Sequence, residues 1–362
     1  MKEQAVRILV AWADDSSANL GVRALGEGSV DLLRRVWPDA EFEFMNYRRR
    51  PPAIPWGRTR SLLRERVTGR AGMMRWLAGF DLVWDTRSGD SFADIYGLPR
   101  HRTMSLVHEF AVQAGTAVAL APQTIGPFRT VRGRALGRRS LRRSRLVFAR
   151  DPASAASSAR LGRRPDATAS DLVFGLEQPE ASVPRDVLLN VSGLLWHGDA
   201  HVDAAAYRAS VHAIIRGLLA EGREVTLLPH VLDSDNADND VPAARELAAE
   251  YGDRLDLHIP RDLGDARAAV SGAQLVIGAR MHACLNALST GTPAIAMAYS
   301  RKFAPLLDSI GWQRVVQIAG TDDLAGVVLA HAREDHLARD AAATRERGRQ
   351  LLQPVVEQLS AL

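Results

Sequence analysis

Short apolar runs alternate with amphipathic segments along most of the chain. The first two runs are Arg7–Ala13 and Glu41–Tyr47, and the segment between them, Val22–Trp37, has the apolar spacing of a helix. A strand, a polar loop, a helix and a second strand in this order form a βαβ unit and predict a parallel sheet. The order recurs, and further strands are predicted at Asp81–Thr86, Thr116–Leu120, Arg145–Ala149, Val187–Val191, Val225–Leu228, Leu255–Ile259, Leu275–Ile277, Pro293–Tyr299 and Val315–Ile318.

A polar segment with two prolines, Glu177–Arg185, separates these elements into two halves of similar size. It predicts a linker between an N-terminal domain, residues 1–178, and a C-terminal domain, residues 186–362. The segment Ala169–Phe174 is expected to complete the first sheet. The predicted fold class is α/β, with two Rossmann-like doubly wound domains facing a cleft in a GT-B-like arrangement.

The most informative stretch is Gln274–Phe303, which consists of a strand, a tight turn, a helix over Met281–Thr290 and a second strand. The turn places Arg280 and His282 at the carboxyl end of the first strand, where parallel sheets present ligands. Free N–H groups of the first helical turn attract anions there, and Arg280 adds a fixed planar cation. Tyr299–Lys302 ends the neighbouring strand, so we expect an anion pocket that suits a phosphate. A structural alternative is that Arg280 pairs with a nearby acid and His282 caps a carbonyl.

Polar residues and glycines also follow several other predicted strands. In a parallel sheet these positions gather at one edge, so they are candidates for ligand contact. The same residue types form Asx turns, helix caps and local ion pairs, and the sequence leaves both interpretations open. The candidates are Asn19, Gly21, Gly89, Asp90, Ser91, Gln123, Arg150 and His230.

The composition is that of a globular protein, with 46% hydrophobic and 24% charged residues among 362. No apolar run approaches the roughly 20 residues of a membrane span, and the first residues lack a signal-peptide pattern, so a cytoplasmic enzyme is expected. The single cysteine, Cys284, has no partner within the chain for a disulfide. Its place in an apolar helix predicts a buried, inert thiol.

Three classes of ligand find little support in the sequence. The arginine clusters lack interleaved aromatic residues, which argues against nucleic acid. The loop after the first strand lacks the G-x-G-x-x-G pattern of dinucleotide sites. The acidic loop Asp233–Asp240 lacks the glycine and terminal glutamate of an EF-hand, and no metal site is predicted.

The amino-acid sequence of the Arg280–Phe303 segment resembles that of the polysaccharide pyruvyl transferase family. It reads R-M-H-A, then a helix, then G-T-P and A-Y-S-R-K-F. Weaker matches occur at Asn19–Gly21, Gly89–Gly97, Arg150–Asp151 and Pro229–His230. The loop before Asp90 reads Arg-Ser-Gly where relatives have more glycine, which is a departure from the family pattern.

The resemblance implies transfer of a pyruvyl group from phosphoenolpyruvate to sugar hydroxyls, with formation of a cyclic ketal. Phosphoenolpyruvate is then a co-substrate, and neither a cofactor nor a metal is needed. Arg280 would bind and stabilise the phosphate, and His282 would contact it or act as general acid. Lys302 and Arg150 would bind carboxylate or phosphate. Asp90 or His230 would be the base for the hydroxyl.

The acceptor is left open by the sequence, as are the ketal's position and the oligomeric state. A sugar or glycan is expected, including one carried on a lipid, with peripheral membrane contact as one consequence. Two alternatives remain: a GT-B glycosyltransferase that uses a nucleotide sugar, and a non-catalytic sugar-binding relative. Binding of a nucleotide without binding of phosphoenolpyruvate would favour the first.

Overall fold

A computed structural model describes residues 5–46, 54, 56–180, 183–232 and 238–362. Residues 233–237 of the acidic loop and two residues of the expected linker lie outside this part. The chain divides into two compact units: unit 1 comprises Met1–Ser16, Leu25–Leu176 and Gln350–Leu362, and unit 2 comprises Ser17–Ala24 and Glu177–Arg349.

Unit 1 contains a six-stranded, fully parallel sheet with the order β2-β1-β3-β4-β5-β6. Its strands are β1 (Arg7–Ala11), β2 (Glu41–Met45), β3 (Leu82–Asp85), β4 (Ala117–Gln123), β5 (Leu146–Ala149) and β6 (Ala167–Thr168). Its helices are α2 (Thr59–Thr68), α3 (Met73–Leu77), α4 (Leu98–Gln113), α5 (Val131–Arg143), α6 (Pro152–Arg160) and α15 (Gln353–Ser360), and α1 (Leu20–Arg34) has residues in both units.

Unit 2 contains a second parallel six-stranded sheet, with the order β12-β11-β10-β7-β8-β9. Its strands are β7 (Arg185–Asn190), β8 (Val225–Leu227), β9 (Leu255–Leu257), β10 (Ala273–Gly278), β11 (Ala294–Ala298) and β12 (Val315–Gln317). Its helices are α7 (Gly193–Trp196), α8 (Ala204–Ala220), α9 (Val241–Tyr251), α10 (Leu263–Ser271), α11 (Met281–Thr290), α12 (Phe303–Ser309), α13 (Leu324–Ala332) and α14 (Leu337–Gln350).

The central strands are buried on both faces, as in other parallel sheets that are covered by helices. All four residues of β3 and all five of β11 are buried, which explains why β11 is a continuous apolar run and why β3 is apolar up to its last residue, Asp85. The α/β fold class, with two Rossmann-like doubly wound units, is confirmed. In the described part of the chain, no helix combines the length and apolar character needed to cross a bilayer.

The order of the strands reverses once in each sheet, and such a switch point opens a crevice at the carboxyl ends of the strands. In unit 1 the reversal lies between β1 and β3, and in unit 2 between β7 and β10. In unit 2, Asn190 ends β7 opposite Gly278 at the end of β10. The residues that follow these strands are therefore positioned at the ligand-binding edges of their sheets.

The units differ from the expected ranges, 1–178 and 186–362, at two segments. Ser17–Ala24 belongs to unit 2, because residues 18–20 pair in antiparallel fashion with residues 230–232. Gln350–Leu362 belongs to unit 1, where α15 buries Val355 and Leu359. The expected closing segment of the first sheet, Ala169–Phe174, also differs: the edge strand is β6, and a 3-10 turn at Leu172–Gly175 follows it.

Candidate functional site

Arg280 lies at the switch point of unit 2, as the residue that caps the N-terminus of α11. Its backbone N–H donates to the side-chain oxygen of Asn190 at 3.0 Å. Its guanidinium donates to Asp240 Oδ1 from Nε at 3.1 Å and from Nη2 at 2.7 Å, and also to the carbonyl of Asp238. The side chain of Arg280 is 10% exposed and that of Asp240 is fully buried, so this is a buried ion pair.

Asp240 connects the ends of two strands. Its Oδ2 accepts from the backbone N–H groups of His230 at 3.1 Å and Val231 at 3.0 Å, and from the amide of Asn190 at 3.3 Å. Its Oδ1 accepts from the backbone N–H of Gly193 at 2.8 Å. One carboxylate thus fixes both the loop after β7 and the loop after β8, and holds Arg280 against them.

This pairing bears directly on the role expected of Arg280. Burial would lower the pKa of its guanidinium, but the charge and hydrogen bonds of Asp240 raise it above its ordinary value. The structural alternative raised from the sequence, a pairing with a nearby acid, is therefore present in the molecule. The phosphate contact of Arg280 stays a prediction, and it requires a ligand oxygen that shares the guanidinium with Asp240.

Two histidines meet beside this ion pair. His230 is buried, and its Nε2 lies 3.0 Å from the side-chain nitrogen of Asn286, which also donates to the carbonyl of His282 at 2.8 Å. Burial, followed by the charges of His282 and Arg280, lowers the pKa of His230 to about 3. His230 is therefore neutral at neutral pH and, with so low a pKa, a weak base.

The N-terminal segment of unit 2 packs against the second histidine. The N–H of Leu20 donates to the carbonyl of His230 at 3.1 Å, and the N–H of Gly21 donates to Asn19 Oδ1 at 2.9 Å. A Cβ atom added at Gly21 would lie 2.7 Å from Nδ1 of His282, which is too close for any real contact. The structure therefore brings together Asn19, Gly21, His230 and His282, although the sequence placed Asn19 and Gly21 in the N-terminal domain.

Tyr299 and Lys302 follow β11 on the other side of β10. The Tyr299 ring packs edge-on against Phe303, at 5.7 Å between centroids, and against the exposed His201, at 5.4 Å. Tyr299 is close enough to Arg280 to contribute, after Asp240, to the raised pKa of its guanidinium. Lys302 is half-buried at the start of α12. His201 was not identified from the sequence, because it lies in a loop with no motif around it.

A second group of candidate residues lies at the strand ends of unit 1. Arg150, which follows β5, is fully buried and donates to Thr124 Oγ1 at 2.9 Å and to Asp171 at 2.8 Å. Within the described chain its Nη2 has no hydrogen-bond partner, and neither has Oε1 of the buried Gln123. Gly89 approaches this arginine closely, since a Cβ there would lie 3.3 Å from Nη1.

Asp90 and Ser91 continue the same loop of unit 1, where Ser91 is buried. Oδ2 of the half-buried Asp90 accepts from the hydroxyl of Tyr96 at 2.8 Å, and Ser91 Oγ accepts from Nε of Arg100 at 3.1 Å. The structure brings Gly89, Asp90, Ser91, Gln123 and Arg150 to one edge of the sheet of unit 1. Their contacts with substrate stay predictions.

Strained backbone marks the switch point of unit 1. Trp12, Arg87 and Ser88 have φ values of 67°, 47° and 51°, in the left-handed region that non-glycine residues rarely adopt. The hydroxyl of Ser88 donates to the carbonyl of Trp12 at 2.9 Å and ties the two loops together. Strain of this kind persists where the surroundings over-determine the backbone, commonly at ligand sites. No sequence signal pointed to Trp12.

Arg87, in contrast, has a structural role. Its Nε donates to Oδ2 of the buried Asp85 at 3.0 Å, and Nδ1 of His108 lies 3.2 Å from the same Oδ2 atom. The guanidinium of Arg87 lies 4.3 Å from the centre of the Phe92 ring. Burial would raise the pKa of Asp85, but Arg87 and His108 lower it below the ordinary value. The sequence gave no sign of this network, because its members come from different elements.

No group of three His, Cys, Asp or Glu side chains suited to a metal ion occurs in the described residues. Cys284 is buried, as expected, and burial raises the pKa of its thiol to about 12.

Comparison with known proteins gives a family and a fold. The sequence model of the polysaccharide pyruvyl transferase family matches residues 19–301, a range that runs from Asn19 to Arg301. Similar solved structures include a putative UDP-N-acetylglucosamine 2-epimerase from Listeria monocytogenes, at 13% identity and a TM-score of 0.58, covering 99% of this chain and 94% of that one.

Two further structures contain ligands. Anabaena HepE in complex with UDP and glucose has 13% identity and a TM-score of 0.57, with 99% of this chain and 100% of that one covered. UDP-GlcNAc 2-epimerase from Neisseria meningitidis bound to UDP-GlcNAc has 11% identity and a TM-score of 0.59, with the same coverage. At such identities the likeness shows the fold alone, a two-domain GT-B-like α/β fold.

Proposed function

The chain belongs to the polysaccharide pyruvyl transferase family, and on that premise we propose that it transfers a pyruvyl group from phosphoenolpyruvate to a sugar. The observation that carries the proposal is the family match over residues 19–301. That range contains Asn19, Gly21, His230, Arg280 and His282, which lie together at the switch point of unit 2. The acceptor is a sugar or glycan, and the proposed location is the cytoplasm.

The reaction is ketal formation at the central carbon of phosphoenolpyruvate. A proton adds to the methylene carbon, which becomes the methyl group, and positive charge develops on the central carbon. A sugar hydroxyl attacks that carbon and loses its proton, and the C–O bond to phosphate breaks. A second hydroxyl of the same sugar then attacks and loses its proton, so that one phosphoenolpyruvate and one diol give a cyclic ketal and inorganic phosphate.

The residues of unit 2 suit the donor. The free N–H groups at the start of α11 and the guanidinium of Arg280 would bind the phosphate and stabilise it as it leaves. His282, next to them, would donate the proton to the methylene carbon. Lys302 is proposed to contact the carboxylate or phosphate of the same molecule, and Tyr299 to border it.

The residues of unit 1 suit a sugar. Arg150 and Gln123 each offer a buried polar atom without a protein partner in the described chain, a donor and an acceptor respectively. Asp90 is proposed as the hydroxyl base because it is half-buried at the edge of the sheet of unit 1, whereas His230 is buried and its Nε2 lies 3.0 Å from the side-chain nitrogen of Asn286. Gly89 and Ser91 would position the sugar beside Asp90.

Phosphate release from phosphoenolpyruvate in the presence of a panel of sugar acceptors tests the proposal. We expect release that depends on the acceptor, with an equimolar gain of pyruvyl ketal in the product by mass spectrometry. His282→Ala should lower kcat by about 100-fold or more if it is the general acid. His336→Ala, at an exposed histidine outside residues 19–301, is the matched control. Release of phosphate without any ketal would contradict the proposal.

A nucleotide-sugar glycosyltransferase is the second candidate. It is favoured by one observation, the similarity of the fold to proteins whose structures contain UDP or UDP-sugars. Calorimetry with phosphoenolpyruvate and with UDP-glucose separates the two functions. Saturable binding of UDP-glucose and none of phosphoenolpyruvate would replace the pyruvyl transferase proposal with this one.

A further inference from the structure

Asn286 lies in the interior of unit 2, in contact with both histidines of the site. It is 1% exposed and stands on α11, one helical turn after His282. Its side-chain nitrogen lies 3.0 Å from Nε2 of His230 and donates to the carbonyl of His282 at 2.8 Å. One buried amide group therefore contacts the ring of the first histidine and the backbone of the second.

Two contacts fix the orientation of this amide. Nη1 of Arg267 lies 3.0 Å from the side-chain oxygen of Asn286, and a guanidinium group can only donate hydrogen bonds. The backbone carbonyl of His282, in contrast, can only accept them. An exchange of the amide oxygen and nitrogen would bring two donors together at the first contact and two acceptors at the second. The nitrogen of Asn286 must therefore be the atom that faces His230.

Arg267, which orients the amide, is itself held by the fold. It is buried on α10, and its Nη1 also donates to Oγ of Ser289 at 2.8 Å. Its Nη2 donates to the carbonyl of Glu177 at 3.1 Å. These bonds join α10, α11 and the segment that follows unit 1 in the chain. The orientation of the Asn286 amide is therefore a property of the folded chain and does not require a bound ligand.

The amide determines where the His230 ring carries its proton. An amide nitrogen donates hydrogen bonds and does not accept them, so the Nε2 atom that faces it must be the acceptor. The proton of the neutral ring is then on Nδ1. The imidazolium form would place an N–H group at Nε2 against the N–H of Asn286, so the contact also disfavours the charged form. Burial and the charges of His282 and Arg280 act in the same direction, because they lower the pKa of His230.

We propose that Asn286 is a positioning residue that keeps His230 as a neutral hydrogen-bond donor, through Nδ1, to an oxygen of the donor substrate. The inference rests on the proposed transfer from phosphoenolpyruvate. It gives the two histidines different tasks: His230 donates a hydrogen bond and keeps its proton, whereas His282 supplies the proton for the methylene carbon. A neutral donor of this kind stabilises charge that develops on the phosphate as it leaves.

The protonation of the His230 ring is measured by nitrogen NMR on the full chain without substrate. The ring signals are assigned by their loss in His230→Asn. In the wild type at neutral pH we expect a protonated Nδ1 and an unprotonated Nε2. Asn286→Asp replaces the amide nitrogen with an oxygen that accepts from Nε2, so the proton should move to Nε2. A protonated Nε2 in the wild type, or an unchanged ring in Asn286→Asp, would overturn the proposal.

Ser289→Ala is the matched control for this measurement. It removes another partner of Arg267 on the same helix and leaves the contact of Asn286 with His230 in place, so the ring signals should not move. If Asn286→Asp does not fold, Asn286→Ala takes its place. Loss of the amide should then give the signals of both tautomers, and a ring protonated at Nδ1 alone would overturn the proposal.

Steady-state kinetics with phosphoenolpyruvate and an acceptor test the consequence for the reaction. Asn286→Asp should lower kcat by about tenfold or more, since it takes the Nδ1 donor away from a charged oxygen, whereas Ser289→Ala should not. The side-chain nitrogen of asparagine can replace Nδ1 of a histidine, and that of glutamine can replace Nε2. His230→Asn should therefore retain more activity than His230→Gln, and equal losses in these two variants would overturn the proposal.

The NMR measurement involves no turnover, so failure of this inference is distinguishable from failure of the proposed function. The expected tautomer without any formation of ketal would contradict the proposed function and leave the control of the His230 ring by Asn286 standing. Formation of ketal by a chain whose His230 is protonated at Nε2 would contradict the inference and leave the proposed function standing.

Discussion

Arg280 Nη2 lies 2.7 Å from Asp240 Oδ1, and this buried pair joins residues 40 positions apart in the chain. The pair explains how a cation is tolerated at the N-terminus of α11, where the helix dipole opposes it. Asp240 supplies the compensating charge and also fixes the loops after β7 and β8. The geometry of the proposed phosphate site thus depends on a carboxylate that carries no proposed catalytic role.

Removal of this carboxylate should destabilise the protein. Asp240→Asn leaves the buried guanidinium of Arg280 without a counter-charge, and breaking a buried pair in this way costs about 3–5 kcal/mol. The free energy of unfolding, measured with urea, reports the loss. Glu221→Gln, which breaks the more exposed pair of Glu221 with Arg333, is the control and should cost less than about 1 kcal/mol. Equal losses of unfolding free energy in the two variants would contradict the inference that the buried pair of Asp240 with Arg280 stabilises the protein more than an exposed pair does.

Gly21→Ala should disturb His282. The new methyl group would meet the imidazole at 2.7 Å from Nδ1, and over-packing of this kind costs about 1–3 kcal/mol. Gly198→Ala is the control, because the nearest atom to its Cβ would be the Leu194 carbonyl at 3.4 Å. Urea unfolding measures both variants.

The double variant Gly21→Ala with His282→Ala provides the decisive comparison for this contact. Removal of the imidazole opens the space that the new methyl group needs. The cost of Gly21→Ala should therefore be largely absent in the His282→Ala background. If Gly21→Ala lowers the free energy of unfolding equally in both backgrounds, the contact with the His282 ring is not the cause of the destabilisation.

Stability should fall with acid in a manner that depends on His230. Its folded pKa of about 3 lies below the ordinary 6.5, so the unfolded chain binds the extra proton first as the pH falls. The contribution of neutral His230 is complete above pH 6.5 and is lost between pH 6.5 and about 3, at about 1.4 kcal/mol per pH unit.

Urea unfolding at a series of pH values between 7 and 4 measures this effect. The stability difference between the wild type and His230→Gln should change with pH across that window. His197→Gln, at an exposed histidine, is the control. Parallel pH curves for the wild type and His230→Gln would contradict the prediction.

Cys284 should be inert towards thiol reagents in the folded protein. It is buried, and the raised pKa of its thiol leaves almost no thiolate near neutral pH. Labelling with a chromogenic disulfide at pH 8 should give no reaction in buffer and one equivalent in urea. Rapid labelling of the native protein would mean that α11 opens readily, at the helix on which the proposed phosphate site depends.

The pattern of the sequence determined much of the fold. Apolar runs, and in β2 an alternation of glutamate and phenylalanine, marked eleven of the twelve strands. The clearest of these runs belong to central strands such as β11, where burial on both faces leaves little freedom in composition. The strand that was missed, β6, has only two residues, of which one is exposed. Strand-end positions also placed His230, Arg280 and His282 at one edge of the second sheet, because all parallel strands of one sheet present their carboxyl ends at one edge. Asn19 and Gly21 were expected in the N-terminal domain, and only the structure placed them in unit 2 beside His230 and His282.

Only the tertiary structure decided how these residues are paired. A sequence pattern repeats over a few residues and records burial, whereas ion pairs such as Arg280 with Asp240 or Arg87 with Asp85 and His108 depend on distances across elements. The same reason explains why Ser17–Ala24 belongs to unit 2 despite its place near the N-terminus: backbone hydrogen bonds to residues 230–232 hold it there. The hydrophobic pattern of the sequence therefore determined the strands of the two sheets and the edges at which they end. Contacts between distant parts of the chain determined which charged side chains at those edges form ion pairs within the protein.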